Sequence, residues 1–281
     1  MSEEQSRDGE ISFSLDGRAV TARRGETVLS VARRYGIEIP ALCHHDAVAP
    51  YGACRLCVVE AFWGKRSKLV TSCIYTPWVD EKIETSNERV RRARRMVLEL
   101  LLARCPDATV IQELAREYGV EESRFQQQPV EGEIRRCILC GLCVRVCAEV
   151  VGQSAVGYAG RGGERIVATP FGAQAEECVG CGACVFVCPT GALSYKDIDG
   201  ERIMKELNTR VPLIRCRACG SFFATEKQIA RIRERLNLPP ELAETCPRCR
   251  GTEFRQTVER CLASTGAALG DTRGLIHISE E

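Results

Sequence analysis

Eighteen of the 281 residues are cysteine, and sixteen of them fall into four groups of four: Cys43, Cys54, Cys57 and Cys73; Cys137, Cys140, Cys143 and Cys147; Cys178, Cys181, Cys184 and Cys188; and Cys216, Cys219, Cys246 and Cys249. Cys105 and Cys261 are left over. The polar start, Met1-Ser-Glu-Glu-Gln-Ser-Arg-Asp-Gly9, lacks the apolar segment of a secretory signal, and no apolar run reaches the ~18 residues of a membrane span. The expectation is therefore a cytoplasmic protein with no membrane span. In a reducing compartment cysteines in this number are held as metal ligands rather than as disulfides. Four thiolates converging on a loop select zinc or iron–sulfur over hard cations.

Spacing separates those cases. Cys137-Ile-Leu-Cys-Gly-Leu-Cys-Val-Arg-Val-Cys147 and Cys178-Val-Gly-Cys-Gly-Ala-Cys-Val-Phe-Val-Cys-Pro189 repeat one C-x2-C-x2-C-x3-C pattern, 41 residues apart. In the two-cluster bacterial pattern the fourth cysteine of each run crosses to the other cluster. That assigns Cys137, Cys140, Cys143 and Cys188 to one [4Fe–4S] cluster, and Cys147, Cys178, Cys181 and Cys184 to a second. Ala148 stands where the first run would have proline, a departure that touches no ligand. Gly141, Gly180 and Gly182 suit tight turns that aim backbone N–H groups at the sulfurs. Cys216-Arg-Ala-Cys219 and Cys246-Pro-Arg-Cys249 are two knuckles with a helical segment between them. They predict one structural Zn²⁺ in a closed four-thiolate shell, with a rubredoxin-like single iron or another iron–sulfur cluster as the alternatives, because thiolates alone do not separate zinc from iron.

Around these groups the chain reads as α+β. Ile11–Leu15 alternates, Asp16-Gly17 turns, and Ala19–Ala22 returns; Thr27 caps a short helix that Gly36 ends. Strands are expected at Val58–Phe62, Lys68–Thr71 and Lys82–Thr85, which with the helix make a β-grasp. From Asn87 to Ala103 the apolar period is helical, with Arg89, Arg91, Arg92, Arg94 and Arg95 read as a solvated face or a partner surface. A second helix follows Pro106-Asp107, and a hairpin is expected within 152–174. The expected division is 1–86, a [2Fe–2S] β-grasp domain; 87–132, a helical connector ending in a polar linker; 133–198, a two-cluster ferredoxin-like domain; 199–212, a linker; 213–253, a zinc-ribbon-like module; and 254–281, a tail.

The stretch Ile39-Pro-Ala-Leu-Cys-His-His-Asp46, then Gly52-Ala-Cys-Arg-Leu-Cys-Val-Val-Glu60, then Val70-Thr-Ser-Cys73 resembles the N-terminal [2Fe–2S] domain of the electron-transfer subunits of respiratory complex I, NAD-linked hydrogenases and NAD-linked formate dehydrogenases. The run from Cys137 is similar to the ferredoxin-like part of the same subunits, so the resemblance spans residues 10 to about 197. It implies that Cys43, Cys54, Cys57 and Cys73 hold a [2Fe–2S] cluster, although the gap of ten residues before Cys54 departs from the plant-type four. These families also carry a cluster held by one His and three Cys between the two domains. Here that region contains only Cys105 and no histidine, so that cluster is not expected, and Cys105 is read as a helix-end core residue. His44 and His45 are read as polar loop residues; Cys261 and His277 stay unplaced.

No Gly-rich phosphate loop, nucleophile–base pair or open metal position accompanies the cysteines. A net charge of +1 favours neither nucleic acid nor an anionic membrane. The function expected is a non-catalytic relay of single electrons, at the low potentials, about −400 mV for a plant-type [2Fe–2S], that pyridine nucleotides and hydrogen require. By resemblance the partners would be a flavin NAD(P)-binding subunit, a small thioredoxin-like [2Fe–2S] subunit and a catalytic subunit, first a hydrogenase that splits electrons between acceptors, with ferredoxin a further candidate. The alternatives are a subunit of formate dehydrogenase or of another oxidoreductase complex, and a redox-sensing iron–sulfur regulator.

Overall fold

The computed structural model describes residues 10–125 and 134–252, with Gln256 and Arg260 beyond them. The polar start, the linker at 126–132, Cys261, His277 and almost all of the tail lie outside the described residues. The chain forms two compact units: residues 1–178, 182–196 and 204–209 in one, and 179–181, 197–203 and 210–281 in the other.

In the first unit, β1 (Glu10–Leu15) and β2 (Arg18–Arg23) form a hairpin whose alternation buries Phe13, Leu15, Val20 and Ala22. Helix α1 (Val28–Arg34) begins at Thr27, whose hydroxyl accepts the Ser30 N–H at 3.3 Å, and lays Val28, Leu29, Val31 and Ala32 into the same core. Strands β3 (Val58–Trp63), β4 (Arg66–Thr71) and β5 (Lys82–Glu84) complete a five-stranded sheet in the order β2-β1-β5-β3-β4. The β1–β5 pair is parallel and the others antiparallel. Asp16 locks it, accepting the Thr85 N–H at 2.7 Å and the Thr85 hydroxyl at 2.6 Å. The expected β-grasp is the fold observed.

Helices α2 (Glu88–Arg104) and α3 (Thr109–Glu117) follow and pack on each other. The arginines of α2 depart from expectation. Arg94 is buried at 2% exposure, Arg89 donates to Glu60 at 2.6 Å, and Arg95 donates to the Tyr118 carbonyl at 3.0 Å. A stripe read as solvated is thus partly inward, because the i, i+4 spacing that separates Val90, Arg94 and Leu98 lies on the buried face. Short helices α4 (Leu142–Arg145), running on into a π-helical turn over Val146–Val151, and α5 (Ala183–Phe186) each begin inside a cysteine run. The hairpin expected between the runs is β6 (Gly157–Ala159) and β7 (Ile166–Ala168).

The second unit corrects the expected linker at 199–212. β8 (Lys196–Ile198) and β9 (Glu201–Met204) flank an Asp199-Gly200 turn, and β10 (Thr209–Arg215) and β11 (Phe222–Thr225) extend them into a sheet ordered β11-β10-β9-β8. Helices α6 (Glu226–Leu236), capped by Thr225, and α7 (Pro240–Ala243) follow. The segment 179–181, placed by its sequence in the ferredoxin-like part, packs within this unit. Thr225 Oγ1 donates to the Val179 carbonyl, and Arg202 Nη1 donates to the Gly180 carbonyl at 2.9 Å.

Candidate metal centres

Between α1 and β3 the chain has no regular structure, and the backbone bends around Cys43, Cys54 and Cys57; Cys73 follows β4. All four are buried. The Cys54 N–H donates to Cys43 Sγ at 3.4 Å. Thiols of Cys54 and then Cys73 donate toward Cys43 and hold it far below the ordinary thiol range, while Cys73 brings Cys57 down to about 7. As the proton-keeping partners, Cys54 and Cys73 are pushed up. Four buried thiols with hydrogen bonds converging on Cys43 are a donor set that fits a soft, multiply charged iron–sulfur core. His44, next to Cys43, pairs through Nε2 with Asp46 at 3.2 Å, and His45 Nδ1 accepts the Ala47 N–H at 3.1 Å.

In the first unit Cys137, Cys140, Cys143 and Cys188 line one small apolar cavity of about 20 Å³, together with Ile138, Leu142, Val167 and Leu193. Burial there raises Cys140 to about 12, with Cys188 and Cys137 adding to the effect. Backbone N–H groups already aim at the sulfurs: Leu139 N–H at Cys137, 3.4 Å, and Ala192 N–H at Cys188, 3.2 Å. A dry cavity with four thiols and inward N–H donors fits a [4Fe–4S] cube. Cys147 is separate from the other three of its run and packs with Cys178, Ala155 and Ala175. Cys184 lies in the same core cluster as Cys140 and Cys143, whereas Cys181 belongs to the segment packed in the second unit.

Gly141 and Gly182 open α4 and α5 with φ of 73° and 77°. A Cβ at Gly141 would strike the Tyr158 hydroxyl, and one at Gly182 would lie 2.9 Å from Tyr195 Cε1. The repeat thus places a tyrosine against the same glycine of each run, a pairing that the cysteine spacing does not announce. The position two after the third cysteine differs: Arg145 in the first run and the exposed Phe186 in the second. Arg145 Nη2 donates to the Cys43 carbonyl at 2.8 Å, and Nη1 to the Ala49 carbonyl. The departure of one repeat from the other was the signal that could have marked Arg145.

In the second unit the sulfurs of Cys216, Cys219, Cys246 and Cys249 all lie within 4.8 Å of one another, with Cys219 and Cys246 at 3.9 Å. Four bonds of about 2.3 Å in a tetrahedron put sulfurs about 3.8 Å apart, close to the Cys219–Cys246 separation. Each knuckle closes on itself: Gly220 N–H donates to the Cys216 carbonyl at 2.8 Å and Arg250 N–H to the Cys246 carbonyl at 3.0 Å. The Cys246 N–H, 3.2 Å from Cys216 Sγ, helps lower that thiol to about 6.

Residues 8–88 match the model of the 2Fe–2S iron–sulfur cluster binding domain, and residues 136–192 that of the 4Fe–4S dicluster domain. The mitochondrial NADH-ubiquinone oxidoreductase 78 kDa subunit of Candida albicans is 32% identical over 182 residues, 57% of this chain and 25% of that protein. Over the part of the chain that these domains occupy, it is similar to the NADH-ubiquinone oxidoreductase 75 kDa subunit of Reclinomonas americana as well, 33% identical over 179 residues. Another relative, the NADPH-Fe(3+) oxidoreductase subunit alpha of Geobacter sulfurreducens, is 35% identical over 180 residues, 57% of this chain and 21% of that one. A chain in the crystal structure of an NAD⁺-reducing [NiFe]-hydrogenase in its H2-reduced state is 32% identical, with 57% of this chain and 74% of that one covered, at a TM-score of 0.48. The chain thus spans about a quarter of the length of the curated relatives. No helix among its described residues is long and apolar enough to cross a membrane.

Proposed function

We propose that this subunit relays single electrons inside a multi-subunit oxidoreductase. Cys43, Cys54, Cys57 and Cys73 would hold a [2Fe–2S] cluster; Cys137, Cys140, Cys143 and Cys188 one [4Fe–4S] cluster; and Cys147, Cys178, Cys181 and Cys184 a second. When bound, these groups supply one-electron chemistry at low potential. The observation that carries the reading is a single buried core in the first unit that contains Cys43 and Cys54 together with Cys140, Cys143 and Cys184. Protein atoms along that core exclude water between ligand sets, and Arg145 ties the Cys43 backbone to the helix that carries Cys143. The chain's part is to position and insulate. Four thiolates at Cys216, Cys219, Cys246 and Cys249 leave no open coordination position, so Zn²⁺ there, or iron in its place, would contribute folding free energy rather than substrate chemistry.

The partners that fit are a flavin NAD(P)-binding subunit as donor, a small thioredoxin-like [2Fe–2S] subunit, and a catalytic subunit of hydrogenase type, with formate dehydrogenase as the alternative. Relatives named for NADH and NADPH oxidoreductases support the pyridine-nucleotide side. Anaerobically purified protein should contain about ten iron, about ten sulfide and about one zinc per chain, with both [2Fe–2S] and [4Fe–4S] resonances on reduction. Cys188→Ser should alter the resonance of the cluster at Cys137, Cys140 and Cys143 and spare the other [4Fe–4S]. Loss of the opposite signal would overturn the crossed assignment, and protein without a [2Fe–2S] resonance would overturn the relay.

A further inference from the structure

Arg94 is the largest of the fully buried side chains, 2% exposed in the middle of α2. Each of its three nitrogens donates: Nε to the Leu56 carbonyl at 3.0 Å, Nη2 to the Val58 carbonyl at 2.8 Å, and Nη1 to the Tyr118 hydroxyl at 2.9 Å. None of these acceptors is charged. Among the described residues no carboxylate pairs with Arg94, although Arg89 on the same helix takes Glu60 at 2.6 Å. A guanidinium keeps its proton at any ordinary pH, so the buried positive charge is permanent. Burying a charge with neutral acceptors alone is unfavourable, and the deficit calls for an anion nearby.

The two carbonyls that Arg94 grips belong to the residues on either side of Cys57, which is itself fully buried. We propose that Arg94 is the fixed counter-charge of the [2Fe–2S] centre at Cys43, Cys54, Cys57 and Cys73, raising its reduction potential while holding the Leu56–Val58 backbone in ligating shape. The inference rests on the relay reading above. Four thiolates around a two-iron core carry net negative charge, and one arriving electron adds one more; no bond forms or breaks and no proton moves. A permanent cation hydrogen-bonded to the backbone on both sides of Cys57 favours the more negative state. Arg94 is a positioning and tuning residue and touches no reacting atom.

The test uses the full chain with its clusters, titrated with a reductant while the [2Fe–2S] resonance is followed. In Arg94→Met and Arg94→Gln, at the wild-type midpoint, the reduced-to-oxidised ratio should fall about tenfold, a shift of about 59 mV for a one-electron couple. Arg94→Lys keeps the charge and loses the fork, and should restore most of the potential. Tyr118→Phe removes one hydrogen bond and no charge, and should leave the midpoint unchanged. Pulsed resonance on reduced wild-type protein labelled with arginine carrying ¹⁵N in the guanidinium alone should show a weak nitrogen coupling that Arg94→Lys diminishes and Arg55→Lys leaves in place, which decides the matter even if the neutral variants do not fold. A neutral variant with full iron and an unshifted midpoint, or no nitrogen coupling in the wild type, would overturn the proposal. A wild type without a [2Fe–2S] resonance would instead sink the relay reading.

Discussion

Cys105 closes α2, fully buried, with its thiol donating to the Leu101 carbonyl at 2.8 Å. That geometry makes the sulfur a cap and a core atom. Cys105→Ala should therefore leave iron and sulfide content unchanged and cost about 1–2 kcal/mol from a small cavity and one lost bond, read by thermal denaturation of the holoprotein. A fall in iron would make Cys105 a ligand. At this scale the sequence was legible for the kind of domain: the repeated cysteine run reads as a two-cluster ferredoxin pattern, and residues 136–192 match the 4Fe–4S dicluster domain. It was not legible for Arg94, since five arginines within seven residues look alike until the helix phase is fixed against Val90 and Leu98. The contact that matters is with carbonyls, and carbonyls have no side-chain signature.

Among the elements, α2 is fastened to the sheet through its cap. Asn87 Oδ1 accepts the Val90 N–H at 3.0 Å, while Nδ2 donates to Glu60 at 2.7 Å and to Glu84 at 2.6 Å. Burial works to raise the Glu60 carboxyl, but Ser67, Asn87 and Arg89 outweigh it and hold it below the usual range; Lys82 and Asn87 do the same for Glu84. Aspartate is ordinarily as good an N-cap as asparagine. Here it would lose both donations and face two carboxylates, so the expected stability order at pH 7 is Asn87, then Asn87→Ser at a cost of about 1 kcal/mol, then Asn87→Asp at about 2–3 kcal/mol. Repulsion needs ionised groups, so the Asp penalty should shrink as pH falls through the carboxylate range; denaturant unfolding at pH 7 and pH 4 checks the order and the sign. The β-grasp was readable because Asp16-Gly17 and the Phe13, Leu15, Val20 and Ala22 alternation are strong local signals. β8 and β9 were missed although Asp199-Gly200 is the same kind of turn, because β8 is three exposed residues with no apolar face to give a period.

For the whole molecule, the division of the chain is not sequential, and that was beyond the sequence altogether. Residues 179–181 pack in the unit of β10 and β11, held by Thr225, whose hydroxyl also caps α6 by accepting the Gln228 N–H at 3.3 Å. Thr225→Val removes both bonds while keeping the shape. It should raise hydrogen-exchange rates at Val179–Cys181 and in the first turn of α6 together, by about tenfold for about 1–2 kcal/mol of local stability, and leave the amides of β1 and β2 protected as before. Exchange that rises in α6 alone would mean that the Val179 contact holds nothing.

The same bond has a meaning in time. Val179 and Thr225 are 46 positions apart, and a chain emerging from the ribosome makes its residues in order. The sheet around Cys57 and Cys73 is complete once Glu84 has been made. Val179–Cys181 gains its first side-chain hydrogen bond from Arg202 in β9 and its second only when Thr225 at the end of β11 exists, so for that interval a stretch of cysteine-bearing backbone leaves the ribosome only partly held. The loops of this chain are therefore held in an order set by where the partners of each one are written.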